Sequence, residues 1–412
     1  MPGPVEDERP TSPHVELADD RPKSPHVELA DDRPPSPHVE LADDRPKSPH
    51  IELRDDRPHE NGEEKSSPGM RNSKGWDGKL RVDRTAVLAN PEIFSDPESD
   101  DENVHRGEQL PADEDLLDDE DPETDEIIVS HARVESISAL RLERFCHVAR
   151  LCLRQNSIQH IEGLSALAET LQDLDLYDNL ITRVRGLEAL THLTHLDLSF
   201  NKIRHIRNID HLTELKELYF VANKISRIEN LEGHPHLTCL ELGSNRIRTL
   251  ENLEPLQNLE ELWVAKNKIT SLSGLAGLPR LRLLSIQSNR IRDLAPLADV
   301  PQLEELYISH NAIEDLTGLA SNKKLRVLEI SNNAVSSVAG LAPLDLLEEL
   351  WASYNQIDDF AEVERTLRDK ANLTTVYFEG NPLQLRGPAV YRNKVRLALP
   401  QVSQIDATYV KT

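Results

Sequence analysis

The sequence predicts a right-handed α/β solenoid, with a parallel sheet on its concave side and 3₁₀ or short helical returns on its convex side. Three observations predict it. Asn156, Asn179, Asn201, Asn223, Asn245, Asn267, Asn289, Asn311, Asn333, Asn355 and Asn381 recur every 22 residues, apart from one step of 23 and a last step of 26. Around each, leucine and isoleucine fall in the frame LxxLxLxxNxIxxIxxL, as in LTHLDLSFNKIRHIRNIDH. A fixed period of this length is the mark of stacked units, none of which can bury its apolar face alone. Third, acidic residues and prolines crowd into the first third of the chain, which sets that part apart.

The N-terminal segment, residues 1–58, repeats at twelve residues: RPTSPHVELADD, RPKSPHVELADD, RPPSPHVELADD and RPKSPHIELRDD. Each unit holds two apolar residues, such as Val27 and Leu29, and at least two prolines, too little to pack a layer. Residues 59–126 read as an acidic linker ending in DEDLLDDEDPETDE. Up to Val129 there are 37 Asp and Glu against 15 Lys and Arg, and 17 of the 26 prolines precede Ile127. Low hydrophobicity with high charge cannot offset chain entropy, so disorder is expected over both segments.

Residues 127–372 are expected to form about 11–12 coils. In each, the alternation of the last leucines (Leu196, Leu198) suits a short strand with one buried face. Asn201 ends that strand, where its amide serves backbone groups left unpaired by the turn. Ile203, Ile206, Ile209 and Leu212 follow at a period near three, as a tight return requires. His234 and Asn322 stand at apolar positions and need an edge or a partner. VSHARVESISAL, with Ala132 in place of Asn, reads as a degenerate first coil. Residues 373–412 read as a C-terminal cap, with Pro382 breaking the return and YRNKVRLAL in helical spacing.

Composition narrows the function. A net charge of −26 disfavours nucleic acid and anionic membrane as partners. No apolar run is long enough to span a bilayer, and MPGPVEDERP lacks the layout of a signal peptide. Cys146, Cys152 and Cys239 are too few for a disulfide framework, which leads to the expectation of a reduced intracellular setting. No nucleotide, zinc or nucleophile motif occurs, so no catalytic residue, cofactor or metal is expected. His195, Asp197 and Ser199 alternate on one strand, but a triad needs the base between nucleophile and acid.

The residues of each strand that face away from the core form a column at the fifth position of the frame. Coil by coil it reads Cys152, Asp175, Asp197, Tyr219, Glu241, Trp263, Ser285, Tyr307, Glu329, Trp351 and Tyr377, with Asp173, Glu217, Glu261, Glu305 and Glu349 beside it at the third position. Three of the seven tyrosines and two of the three tryptophans fall in this column, where no core demand places them. Aromatics among carboxylates suit a protein partner bearing Lys or Arg. The protein-binding candidates are Asp197, Tyr219, Glu241, Trp263, Glu305, Tyr307, Glu329, Glu349 and Trp351. A second row after each asparagine (Lys202, Lys224, Arg246, Lys268, Arg290) reads as a solvated edge or as a seat for the acidic linker. Ser12, Ser24, Ser36, Ser48 and Ser67 each precede proline, and Ser95 and Ser99 lie among acids; all seven are phosphorylation candidates.

The frame is shared by many intracellular leucine-rich-repeat proteins. The runs LCLRQNSI, LDLYDNLI, LELGSNRIR, GNPLQ and YRNKVRLALPQVSQIDATYV resemble, more sharply, the protein phosphatase 1 regulatory subunit 7 family, over about residues 127–412. The resemblance implies a nuclear and cytoplasmic, non-catalytic regulator. It would grip the phosphatase catalytic subunit with its concave face and influence its activity, maturation, localisation and mitotic work, with a further phosphatase inhibitor in a ternary complex. The family's contact pattern falls on Asp197, Tyr219, Glu241, Trp263, Glu349 and Trp351, with Tyr219 and Trp263 where the family usually has Phe. The four twelve-residue repeats lie outside that pattern. A structural adaptor in ribonucleoprotein or cytoskeletal assembly is the alternative reading.

Overall fold

In a computed structural model, residues 116–410 are described. The twelve-residue repeats, most of the acidic linker and all seven serines singled out above lie outside the described residues. Fourteen short strands form one sheet in chain order. The first seven are β1 (Glu126–Ile128), β2 (Arg150–Cys152), β3 (Asp173–Asp175), β4 (His195–Asp197), β5 (Glu217–Tyr219), β6 (Cys239–Glu241) and β7 (Glu261–Trp263). They are followed by β8 (Leu283–Ser285), β9 (Glu305–Tyr307), β10 (Val327–Glu329), β11 (Glu349–Trp351), β12 (Thr375–Tyr377), β13 (Gln404–Ile405) and β14 (Thr408–Tyr409). Every pairing is parallel except β13 with β14. The register joins equivalent positions of successive coils, so Leu196 pairs with Leu218 and Asp197 with Tyr219. The fifth-position residues therefore stand in a straight row.

The leucines of the frame fill one continuous core, most with no solvent exposure. At about 25 cal/mol per Å² of apolar surface removed from water, this burial is the main force holding the coils together. The asparagines fix how the coils stack. Asn245 donates from Nδ2 to the carbonyls of Leu242 (3.1 Å) and Gly243 (3.1 Å) in its own coil and of Phe220 (2.8 Å) in the coil before. Its Oδ1 accepts the N–H of Ile225 at 3.0 Å. The same pattern repeats at Asn201, Asn223 and Asn267. Just before each asparagine but the last, Asn381, which follows Gly380, the backbone turns through the left-handed region with an ordinary side chain, from Gln155 (φ 56°) through Phe200 (φ 54°) to Tyr354 (φ 54°). Such residues carry strain, and the ladder holds them there.

The convex side divides in two. Short 3₁₀ turns close the coils at Ser165–Leu167, Ser273–Leu275, Ala295–Asp299, Thr317–Leu319 and Ala339–Leu341. Gly274 is needed in one of these, because a Cβ there would lie 1.8 Å from the carbonyl oxygen of Leu250. In between, Asn208, Asn230 and Asn252 take left-handed turns, and their Nδ2 atoms donate to Val184, Ile206 and Ile228 carbonyls at 2.7, 2.6 and 2.7 Å. The runs IRNID, IENLE and LENLE already carry these asparagines at the 22-residue period, although the return was read from the apolar spacing alone. The step of 26 before Asn381 accommodates helix α1 (Phe360–Leu367), capped by Asp359, whose side chain accepts from Ala361 N.

Both ends are covered. The C-terminal cap consists of helices α2 (Pro382–Leu385) and α3 (Pro388–Ala398) and the β13–β14 hairpin, tied by Tyr391 Oη donating to Asp406 Oδ2 at 2.9 Å. At the other end the structure corrects the boundary between linker and solenoid at residue 126/127. Leu117 is buried, Asp118 pairs with Arg144 at 2.6 Å, and β1 begins at Glu126. The Leu116–Leu117 pair inside the acidic run supplies apolar cover for the open end of the first coil, so the ordered cap reaches back to at least residue 116.

His234 and Asn322 are both buried rather than at an edge, and each is half-satisfied. Asn322 Nδ2 donates to Leu297 and Val300 carbonyls at 3.0 Å, leaving Oδ1 without a partner among the described residues. His234 Nδ1 lies 3.1 Å from the Leu212 carbonyl, which makes it the protonated nitrogen, and Nε2 is unpaired.

Two expectations follow. Replacing Asn245 by Ala leaves several buried backbone groups unpaired and lowers stability to urea by about 2–4 kcal/mol; a loss under about 0.5 kcal/mol would show that the ladder is not holding the coils. Burial lowers the pKa of His234 below the ordinary histidine value, since the charged ring has no solvation there. The unfolded chain then binds the extra proton first, so this group's stabilisation is complete above about pH 6.5 and declines as pH falls toward the lowered folded value. In His234→Leu, urea titrations between pH 7 and 5 should show a shallower loss of stability than in the parent; an unchanged slope would contradict this.

Candidate functional site

In a strand, residues two apart point the same way. The third and fifth positions of each coil therefore share the concave face, and the structure links them. Tyr219 Oη donates to Glu217 Oε2 at 2.8 Å, Trp263 Nε1 to Glu261 Oε2 at 3.1 Å, Tyr307 Oη to Glu305 Oε2 at 2.8 Å and Trp351 Nε1 to Glu349 Oε2 at 3.0 Å. The units ELY, ELW, ELY and ELW recur at 44 residues, or every second coil. Each ring is held in one orientation by its own strand, so little side-chain freedom remains to be lost when something binds against it. Burial and the adjacent glutamates push the phenols of Tyr219 and Tyr307 well above the ordinary tyrosine range, so both remain donors.

The intervening coils fill the gaps between rings. Glu241 stands in register between Tyr219 and Trp263, and Glu329 between Tyr307 and Trp351. Neither carboxylate makes an ion pair or hydrogen bond with a described residue, although both are half-buried. Burial, followed by the charge of Asp197, holds the Glu241 carboxyl above the usual carboxylate range. Ser285 separates Trp263 from Tyr307, whose rings lean together over it, 6.5 Å apart and 15° from parallel. Trp351 meets Tyr377 at 5.1 Å, which extends the row by one coil. Trp351 is 39% exposed and is the most open ring of the column.

Not every residue of the column is open. Asp197 is only 7% exposed, which corrects its reading as an outward-facing surface residue. Its Oδ1 accepts the N–H of Ser199 at 2.9 Å, and Arg154 reaches over from two coils away to its Oδ2 at 3.2 Å while also pairing with Asp175. Ser285 is covered as well, beneath the two leaning rings. His195, Asp197 and Ser199 do not come together: His195 Nδ1 lies 2.9 Å from Glu217 Oε2, and Ser199 Oγ accepts from Val221 N at 3.1 Å.

One cluster escaped the reading by column. The Arg154 guanidinium sits 4.7 Å from the centre of the Tyr177 ring, and Tyr177 packs on Phe200 at 4.8 Å, with Phe200 45% exposed. Arg154 and Tyr177 occupy the seventh position of their coils, where later coils have Val221, Gly243 and Ala265, and Phe200 the eighth, where the next two coils have Ala222 and Ser244. That contrast in bulk was the available signal. At the far end Tyr354 is exposed at the eighth position, as Phe200 is, against Gly380, where an added Cβ would lie 2.4 Å from Cδ1 of Tyr354.

Comparison with known proteins gives the class. Leucine-rich-repeat families match residues 146–203 and 189–265, and a two-copy leucine-rich-repeat family matches 257–299 and 301–343. An internalin of Listeria monocytogenes has the same architecture, with a TM-score of 0.55 and 26% identity over 69% of this chain and 87% of that one. The leucine-rich-repeat domain of APL1 superposes with a TM-score of 0.53 at 20% identity, over 66% of this chain and 71% of that one, which speaks for the fold alone. The chain is a leucine-rich-repeat solenoid protein. Within that class it is similar to the protein phosphatase 1 regulatory subunit 7 family. It is 42% identical over 105 residues to protein phosphatase 1 regulatory subunit SDS22 of Saccharomyces cerevisiae, covering 25% of this chain and 31% of that protein. With SDS22 of Schizosaccharomyces pombe it shares 52% over 86 residues, covering 21% and 25%. With regulatory subunit 7 of Mus musculus it shares 60% over 45 residues, covering 11% and 12%. The chain thus aligns with less than a third of the length of each of these relatives.

Proposed function

We propose that the chain is a non-catalytic regulatory subunit that binds the catalytic subunit of protein phosphatase 1 across its concave face and governs its activity, maturation or localisation, including in mitosis. The names of the similar proteins support the partner. The geometry supports the face, and one observation carries it: unneutralised carboxylates, Glu241 and Glu329, alternate in register with aromatic rings already fixed in place. Leaving half-buried carboxylates without a partner is costly, and a Lys or Arg from a docking protein removes that cost. Rings that lose little freedom on binding make efficient anchors. The nuclear and cytoplasmic setting and the further phosphatase inhibitor in a ternary complex belong to the same proposal.

The phosphatase catalytic subunit should be retained from cell extract by the immobilised full chain. A double variant, Glu349→Lys with Trp351→Ala, should keep its circular dichroism spectrum and melting profile while binding weakens by at least about 2 kcal/mol, or roughly 30-fold in Kd. Failure of the parent chain to retain the catalytic subunit would sink the reading of the partner. Retention by the parent with undiminished binding by the variant would sink the reading of the face.

A further inference from the structure

The row of cations that follows Asn201, Asn223, Asn245, Asn267 and Asn289 is organised by the same ladder as the core. Lys202, Lys224, Arg246, Lys268 and Arg290 each donate a backbone N–H to the coil before (2.8–2.9 Å), so they stand in line at the strand spacing. Two residues further on, alternate coils add Arg204, Arg248 and Arg292. Through these five coils the runs FNKIR, ANKIS, SNRIR, KNKIT and SNRIR contain no acidic residue, whereas the flanking coils read DNLIT and HNAIE. None of the eight forms an ion pair with a described residue.

The opposite margin of the sheet shows what a structural use of charge looks like in this protein. There Arg282 pairs with Glu304 through two hydrogen bonds (3.1 and 3.0 Å), and Arg326 with Glu348 through two more (both 2.9 Å). That margin is neutralised from within. The basic edge is not, in a chain whose net charge is −26.

We propose that the basic edge is the intramolecular seat of the chain's own acidic segment, residues 95–102 (SDPESDDE). In an extended chain Asp96, Glu98, Asp100 and Glu102 point the same way and span about 20 Å at about 3.3 Å per residue. The five cations of the row span about 19 Å at about 4.8 Å per strand. The lengths match without either side bending. Reach is sufficient: Leu116 packs at the N-terminal end of the core, and Arg290 follows β8, seven strand spacings or about 34 Å from β1. The fourteen residue-to-residue steps from Glu102 to Leu116 extend up to about 46 Å. Seated there, the segment cancels the positive edge and leaves the carboxylates from Glu217 to Glu349 to set the field of the neighbouring groove, one that attracts a basic partner. Serines 95 and 99 fall inside the segment, and a phosphate on either would add charge to the contact.

Zero-length carbodiimide cross-linking of the purified full chain reads this contact directly, because it joins only carboxylates and lysines that touch. Peptide mass spectrometry should find residues 96–102 joined to Lys202, Lys224 or Lys268. An equal mixture of ¹⁵N-labelled and unlabelled chain should show these links within one chain. They should fall at least five-fold in 0.5 M salt and in Arg246→Glu/Arg290→Glu, a variant that keeps every lysine and changes only exposed side chains. Links that are absent, that persist in the variant, or that join only labelled to unlabelled chains would overturn the proposal, the last assigning the edge to contact between copies.

Discussion

The buried asparagine ladder is the interaction on which the rest of this structure depends. Each asparagine closes the strand of its own coil and binds both a carbonyl and an N–H of the coil before it, as Asn245 does with Phe220 and Ile225. It therefore sets the register between coils as well as the turn within one. A solenoid has only neighbour-to-neighbour contacts, so an error in register would propagate along the stack. With the register held, every fifth-position residue lies directly opposite its counterpart, and a surface many coils long becomes a regular array. The left-handed residue before each asparagine is the local strain that this arrangement carries.

On that array the sequence writes a period of two coils. Aromatic residues recur at 44 residues, each bonded to the glutamate two positions earlier, with carboxylates or a serine between them. A hydrogen bond within the strand does two things at once. It orients the ring, and it occupies one oxygen of the glutamate while leaving the carboxylate its charge. The face is thus stiff and negative before anything binds. Preorganisation of this kind converts more of the contact into affinity than a mobile surface of equal area. Charge is treated differently on the two margins: one neutralises itself with Arg–Glu pairs, the other presents cations without described partners.

Much of this was legible in the chain. The repeat length, the strand positions and the fifth-position column follow from the spacing of Leu and Asn, because a solenoid maps sequence period directly onto space. What stayed hidden depends on contacts across coils. Asp197 was read as open, yet Arg154, 43 residues earlier, covers it. Asn208, Asn230 and Asn252 keep the 22-residue period, but spacing alone does not say that their amides reach the carbonyls of the coil before. The acidic run before Ile127 looked uniformly solvated, but its two leucines close the core. Tyr177 and Phe200 fell outside the column because they follow the ends of β3 and β4, although they pack against each other beside it.

The central claim is that the concave column is the binding face for the phosphatase catalytic subunit. Hydroxyl-radical footprinting tests it directly, since aromatic side chains react readily and report their own exposure. In the presence of the catalytic subunit, oxidation of Trp263, Tyr307 and Trp351 should fall several-fold, while Leu385, Leu397 and Tyr409, exposed on the C-terminal cap, should react as before. Unchanged oxidation of Trp263 and Trp351 in a saturated complex, or protection confined to the cap, would contradict the account.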